Sequence, residues 1–247
     1  MSGHSKWHNI QAKKGKTDAA RGKIFTKIGR EIAVCVKMGG ADPTVNSKLR
    51  DLIAKAKSNN MPNDSIQRSI KKASGETDSV NYEEKTYEGY GIAGTAVIVR
   101  TLTDNVNRTS GDLRHAFDKH SGNLGSTGCV SYMFKRKGII IVAKNFDTDI
   151  DELMLTALDC GAKDVIEEDD CITIETEPSE VGMVAEKLTE AGVKVESYED
   201  TLVPDTYVDL DEAQMERFMK MIDMLEDNDD VQEVIHNVNL PEESEEE

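Results

Sequence analysis

Three short runs decide the fold: Ile139-Ile-Ile-Val-Ala143, Asp164-Val-Ile-Glu-Glu168 and Cys171-Ile-Thr-Ile-Glu-Thr176. Each is rich in β-branched residues and too short for an ordinary helix, so each reads as a strand. Between the first two, Ile150 to Cys160 places its apolar residues at helical spacing. The acidic run Glu168-Asp-Asp170 turns the chain from the second strand into the third. A helix from Ser179 to Ala191 and a strand from Val193 to Val203 complete a β-α-β-β-α-β order over residues 138–203, the split-βαβ or ferredoxin-like layout.

Working outward, both flanks hold parts of a second α/β unit. On the N-terminal side lie a strand at Thr95–Leu102, a helix from about Asn107 to His120 and a further expected strand at Cys129–Phe134. After Pro204 come a helix, Asp211 to Leu225, and a last strand, Val231 to Val238. These supply the missing α-β half of a unit that begins near residue 82, so the ferredoxin-like segment is expected to be an insertion. The expected map is a helical domain at 1–80, a discontinuous α/β domain at 81–134 plus 207–247, and an inserted domain at 135–206. The class is α+β: a three-helix N-terminal domain followed by two ferredoxin-like α/β domains, one inserted in the other.

The first third of the chain differs in texture and in charge. Residues 1–22 show little apolar periodicity and form a basic arm with a single aromatic residue, Trp7. From about Lys23 to Met38, Ile24, Phe25, Ile28, Ile32, Cys35 and Val36 share one helical face, with Lys23, Lys27, Arg30 and Lys37 opposite. Gly39-Gly40 ends that helix. A second helix runs from about Val45 or Asn46 to Ser58, with Leu49, Ile53 and Ala56 inward and Lys48, Lys55 and Lys57 among its polar residues. Pro62 suits the first turn of a third, in which Ile66, Ile70 and Ala73 oppose Arg68, Lys71 and Lys72.

The net charge of −17 hides a division: residues 1–75 hold sixteen Lys/Arg against five Asp/Glu, while the remainder is strongly acidic. A one-signed excess on three helices and an arm is what a phosphate backbone rewards through counterion release. Trp7 among lysines is suited to stacking on an unpaired base. An acidic remainder repels phosphate and orients the complex.

Other chemistries find little support. Gly89-Tyr-Gly91-Ile-Ala-Gly94 satisfies G-x-G-x-x-G, but a strand follows it where a dinucleotide site needs a helix, so it reads as a turn between strands. Asp227-Asn-Asp-Asp-Val231 lacks the glycine and closing glutamate of a calcium loop. Cys35, Cys129, Cys160 and Cys171 are widely spaced, without zinc-ligand spacing, and read as reduced thiols. Thr103-Asp-Asn-Val-Asn-Arg-Thr109 reads as a strand-to-helix turn with a capping residue, or as a phosphate-holding helix N-terminus around Arg108. No nucleophile frame, metal or cofactor site is expected, and the start lacks a secretory h-region. The longest aliphatic run, Ile139–Val142, is far short of a membrane span. A non-enzymatic, cytoplasmic protein without membrane or small-molecule partner is expected.

Several separate motifs occur in one order: Gly3-His-Ser-Lys-Trp7, Arg21-Gly-Lys-Ile-Phe-Thr-Lys27, Ser58-Asn-Asn-Met61, Tyr87-Glu-Gly-Tyr-Gly91, Asn105-Val-Asn-Arg-Thr109, His115-Ala-Phe117, Gly122-Asn-Leu-Gly125 and Met224-Leu-Glu-Asp227. Along nearly its whole length the chain resembles the YebC/PmpR family. The resemblance implies three domains, one inserted in another, and a cytoplasmic probable transcriptional regulator that binds DNA. Relatives that include a mitochondrial translational activator act on the ribosome, and bacterial relatives are linked to relief of stalling at proline-rich stretches. Ile92-Ala93 stands where the family often has Pro-Gly, and Val106 stands where a basic residue is common.

The expected partner is therefore nucleic acid: DNA for a transcriptional regulator, or ribosomal RNA or tRNA for a translation factor. A scaffold whose basic face meets an acidic protein is the third reading. The expected contacts are Lys6, Trp7, Lys13, Lys14, Lys16 and Arg21 on the arm, with Lys23, Lys27, Arg30, Lys55, Arg68, Lys71 and Lys72 on the helices. A Lys13/Lys14/Lys16→Glu triple variant is expected to keep its circular dichroism spectrum yet lose most of its affinity for nucleic acid in a gel-shift titration; unchanged affinity makes the arm incidental.

Overall fold

The computed structural model describes residues 18–75, 81–144, 149–168 and 171–240. The arm residues Lys6, Trp7, Lys13, Lys14 and Lys16 lie outside them. Helices α1 (Asp18–Gly39), α2 (Ser47–Ser58) and α3 (Asn63–Ser74) form the N-terminal domain. α1 starts five residues before the position that apolar periodicity gives. The three helices bury Ile28, Ile32, Cys35, Val36, Leu49, Leu52, Ala56, Met61, Ile66 and Ile70 in one core. Asn46 caps α2 by accepting the Leu49 amide at 3.1 Å. Proline at the entry to α3 leaves no amide there to satisfy.

Next come β1 (Glu83–Tyr90), β2 (Ala96–Thr103), α4 (Val106–Lys119) and the two-residue β3 (Asn123–Leu124). β4 (Phe134–Ala143), α5 (Ile150–Cys160), β5 (Asp164–Glu167), β6 (Cys171–Thr176), α6 (Val181–Glu190) and β7 (Val195–Pro204) make the inserted unit. α7 (Glu212–Glu226) and β8 (Val231–His236) then return to the first sheet. The two antiparallel sheets have orders β3-β1-β2-β8 and β5-β6-β4-β7. The second is the ferredoxin-like order, with Ile140, Val142, Ile172 and Ile174 covered by Leu153, Ala157, Val184, Ala185 and Leu188. In the first, β8 pairs antiparallel with β2, although more than a hundred residues separate them. The chain divides into two compact units, one holding α1–α3 with the first sheet and its helices, the other holding the inserted sheet and its helices.

Two local outcomes differ from the sequence reading. Cys129–Phe134 is not a strand: Ser131–Met133 forms a 3-10 turn and pairing starts at Phe134. The cause is the buried Glu88 carboxylate, which accepts the amides of Gly128 at 2.8 Å and Val130 at 2.9 Å and so removes them from any ladder. β1 was unforeseen because its burial changes from exposed to buried along its length instead of alternating.

The segment Gly89–Gly94 is a turn between strands. Tyr90 ends β1, Ile92–Gly94 forms a 3-10 turn and β2 follows. Gly89 is required by close approach, since a Cβ there meets the Asn123 carbonyl oxygen at 2.7 Å. Ala93 sits at φ 56°, where an L residue is disfavoured by roughly 1–2 kcal/mol. This is the position at which the resembled family often has glycine. Ala93→Gly is expected to raise the free energy of unfolding by about 0.5–1 kcal/mol, the relief of strain exceeding the added freedom of the unfolded chain; urea denaturation measures it.

Candidate nucleic-acid interface

The three helices use their charges in two different ways. Along α1, the polar side is directed at the turn between α7 and β8. Lys23 Nζ lies 2.7 Å from Asp227 Oδ1, and Lys27 Nζ donates to the Glu226 carbonyl at 2.8 Å. Arg30 reaches deepest. Its guanidinium donates to Asp230 Oδ1 at 2.6 Å, to the Asp229 carbonyl at 2.7 Å and to the Leu102 carbonyl at 3.3 Å, and it stands over the Tyr82 ring at 5.5 Å. Its side chain is 17% exposed. Expected on a phosphate-facing surface, Arg30 instead bonds the helical domain to the discontinuous α/β domain. Apolar periodicity identifies the face of α1 that is polar; it does not show that an acidic turn of the same chain covers that face.

Asp230 receives more than Arg30. Arg108 Nη2 donates to Asp230 Oδ2 at 2.7 Å and to Asp104 at 2.8 Å, and Thr109 Oγ1 stands 2.7 Å from the same Asp230 oxygen. Asn105 caps α4 by accepting the Arg108 amide at 3.1 Å. The Thr103–Thr109 turn is thus a helix cap joined to a receptor for an internal carboxylate. Burial alone would push the Asp230 carboxyl up, but hydrogen bonds from Arg108, Thr109 and Arg30 outweigh it and hold the group below the ordinary carboxylate range. The same contacts raise the Arg108 guanidinium.

Helices α2 and α3 behave differently. Burial of Leu49, Leu52, Ala56, Ile66 and Ile70 turns the charged residues of both outward. Residues 47–74 hold seven basic and two acidic side chains. Lys48, Arg50, Lys57, Lys71 and Lys72 are exposed, and among the described residues none of them has an acidic partner. Lys55 is paired with Glu31 at 2.9 Å, and Arg68 folds back onto the Asp64 carbonyl at 3.1 Å. Arg21 falls near the start of α1. The open cations thus include Lys71 and Lys72 from the expected set, and add Lys48, Arg50 and Lys57. The signal for these three was their spacing from Leu49, Leu52 and Ala56.

The connection between α2 and α3 completes the geometry. Two twelve-residue helices are joined by Asn59-Asn-Met-Pro62, with Asn60 at φ 59° and Met61 buried in the core. A short turn of this kind between two helices is the connection used in helix-turn-helix units. Along α3, Asn63, Gln67, Arg68 and Lys71 are exposed at i, i+4, i+5 and i+8, a row of hydrogen-bonding side chains on one side of the helix. Among the described residues there is no group of three or more His, Cys, Asp or Glu able to hold a metal ion. No described helix is long and apolar enough to cross a membrane.

Residues 5–76 match the family described as "TACO1/YebC protein N-terminal domain", and residues 82–238 match "TACO1/YebC second and third domain". The chain belongs to the TACO1/YebC family. It is 60% identical over 242 residues, 98% of each chain, to "Probable transcriptional regulatory protein ORF2U" of Hathewaya histolytica. It is 58% identical, at the same coverage, to a "Probable transcriptional regulatory protein" of Clostridium beijerinckii. Among solved structures, the conserved hypothetical protein Aq1575 from Aquifex aeolicus matches with a TM-score of 0.81 and 44% identity, over 94% of this chain and 96% of that one. The boundary between the two TACO1/YebC matches falls between α3 and β1, and the second match spans the whole insertion.

Removing the Asp230 carboxylate leaves two arginines without their shared acceptor. Asp230→Ala is expected to lower stability by about 3 kcal/mol in chemical denaturation, and Asp230→Asn by less. Because the folded-state carboxyl titrates below its unfolded value of about 3.9, the wild-type advantage over Asp230→Asn is full at neutral pH. It disappears only as acid titrates the carboxylate below about pH 4. An advantage that already declines between pH 8 and pH 6 contradicts this assignment.

Proposed function

We propose that this TACO1/YebC chain is a non-enzymatic cytoplasmic regulator of gene expression that binds nucleic acid through the exposed cations of α2 and α3, together with the basic N-terminal segment. The observation that carries the reading is the contrast within the helical domain. The α1 cations Lys23, Lys27 and Arg30 are bonded to the α7–β8 turn, whereas Lys48, Arg50, Lys57, Lys71 and Lys72 are exposed and, among the described residues, have no acidic partner. Lysine and arginine so displayed release counterions when they meet phosphate. The relatives' names, probable transcriptional regulatory proteins, support a regulatory role for this chain.

Duplex DNA is the first target. The short turn between α2 and α3 supports it, with α3 as the helix that approaches the bases and with Asn63, Gln67 and Arg68 as residue types that hydrogen-bond base edges. Folded RNA, including RNA of the ribosome, is the second, and one feature favours it. Asp64 in the first turn of α3 places a carboxylate where a groove-inserted helix meets phosphates, and an RNA target that does not require insertion avoids that repulsion.

Fluorescence anisotropy with duplex DNA and with a folded RNA, at several salt concentrations, tests both targets. Lys71→Glu/Lys72→Glu with Arg50→Glu is expected to weaken binding at least tenfold and to flatten the salt dependence, by about 0.9 in log K per decade of salt for each lost contact on duplex DNA. Lys163→Glu, in the inserted domain, is the control expected to bind as wild type. Equal affinity for the triple variant and wild type rejects the α2–α3 surface as the interface.

A further inference from the structure

The turn between α1 and α2 is unusually well held for a surface connection. Asn46 is buried, and its side chain donates to the carbonyls of Gly40 at 2.9 Å and Cys35 at 3.2 Å while accepting the Leu49 amide. Asp42 closes the other half: its carboxylate accepts the Thr44 amide at 2.9 Å, and its carbonyl accepts the Asn46 amide at 3.0 Å. A Cβ on Gly39 would come within 2.7 Å of the Asn46 side-chain nitrogen, so the end of α1 and the start of α2 are in close contact here. On the outside of this fixed turn stand Met38 and Val45, 81% and 79% exposed, the most exposed large apolar side chains among the described residues.

Isolated apolar residues on a surface are ordinary. Two are displayed here, each next in sequence to one side of the Gly39–Asn46 contact, on a turn held by the hydrogen bonds of Asn46 and Asp42. Val45 directly precedes Asn46, the cap of the helix that carries the open cations Lys48, Arg50 and Lys57. Apolar side chains next to phosphate-binding cations are the means by which many nucleic-acid-binding proteins part stacked bases, with Met and aliphatic residues as the wedge.

We propose that Met38 and Val45 form an apolar wedge that enters a nucleobase step of the nucleic acid held by α2 and α3, parting the two bases. This rests on the nucleic-acid reading above. The Asn46 and Asp42 hydrogen bonds set the wedge before binding, so little ordering is needed on contact. Contact with base faces carries no sequence code, which makes the wedge a device for bending or opening its target instead of reading it.

The test uses the full-length protein and two probes, a duplex DNA and a hairpin RNA with an internal bulge, each prepared with 2-aminopurine at successive positions. Its fluorescence rises when the base is unstacked, while anisotropy of an end label reports binding separately. The expected result is a binding-dependent rise at one or two adjacent positions of the preferred probe. Met38→Ser/Val45→Ser should abolish that rise and weaken binding by about five- to tenfold. Met38→Leu/Val45→Ile should restore both. Both positions are exposed, so the variants are expected to fold, and circular dichroism checks this. Binding without a fluorescence rise on either probe, or a rise that persists in the serine variant, overturns the wedge and leaves the interface standing. Failure of wild type to bind either probe overturns the interface itself, and the wedge with it.

Discussion

One buried carboxylate ties the larger compact unit together. Asp230 is 3% exposed and is reached by Arg30 from the helical domain and by Arg108 and Thr109 from α4. An isolated carboxylate in such a place would be neutralised or expelled; with two guanidiniums and a hydroxyl it stays charged. The same few residues set the backbone as well. The Asp230 carbonyl accepts the Leu102 amide at 2.7 Å, which brings the start of β8 beside the end of β2. The ion pairs and the long-range strand pairing of the discontinuous domain therefore support each other.

That arrangement also decides which cations of the helical domain stay exposed. A charge count over the first third of the chain gives a single basic body. The structure divides it: α1 supplies the positive half of an internal electrostatic contact, and α2 and α3 supply an outward surface. Arg suits the first role because its guanidinium is always charged and weakly hydrated, and Nη1 of Arg30 alone reaches two carbonyls and a carboxylate. Lysine, a compact charge on a flexible stem, suits the second, and four of the five open cations are lysine.

How much of this was legible in the sequence follows from the range of each interaction. The inserted domain was legible because its strands are β-branched runs and its helices are amphipathic, so period and burial coincide from Ile139 to Val203. The three helices were legible for the same reason. β1 was not, because one half of it is exposed and the other carries Glu88, a carboxylate buried against amides some forty residues away. The false strand at Cys129–Phe134 failed for the complementary reason: its composition suits a strand, but the Cys129 amide is taken by the Ser126 carbonyl and the Val130 amide by Glu88. The bond of Arg30 to Asp230 was not legible either, since the partner lies 200 residues along the chain and no local pattern refers to it. The lysines of α2 and α3 were legible as exposed, because exposure follows from the position of Leu49, Leu52, Ile66 and Ile70.

The family motif around Thr103–Thr109 shows why a polar signature need not be a ligand site. Its asparagines, arginine and threonine are the residue types that hold phosphates at helix N-termini. Here Asn105 is committed to the α4 cap, and Arg108 and Thr109 to Asp230. An incoming phosphate would have to displace a carboxylate held by charge-assisted hydrogen bonds at 2.6–2.7 Å. Such displacement would also release Arg30 and loosen the helical domain from the sheet. A strongly ordered polar motif in this chain therefore serves the joint between the helical domain and the first sheet, while the lysines of α2 and α3, set at helical spacing, stay exposed and among the described residues lack an acidic partner, Lys55 excepted.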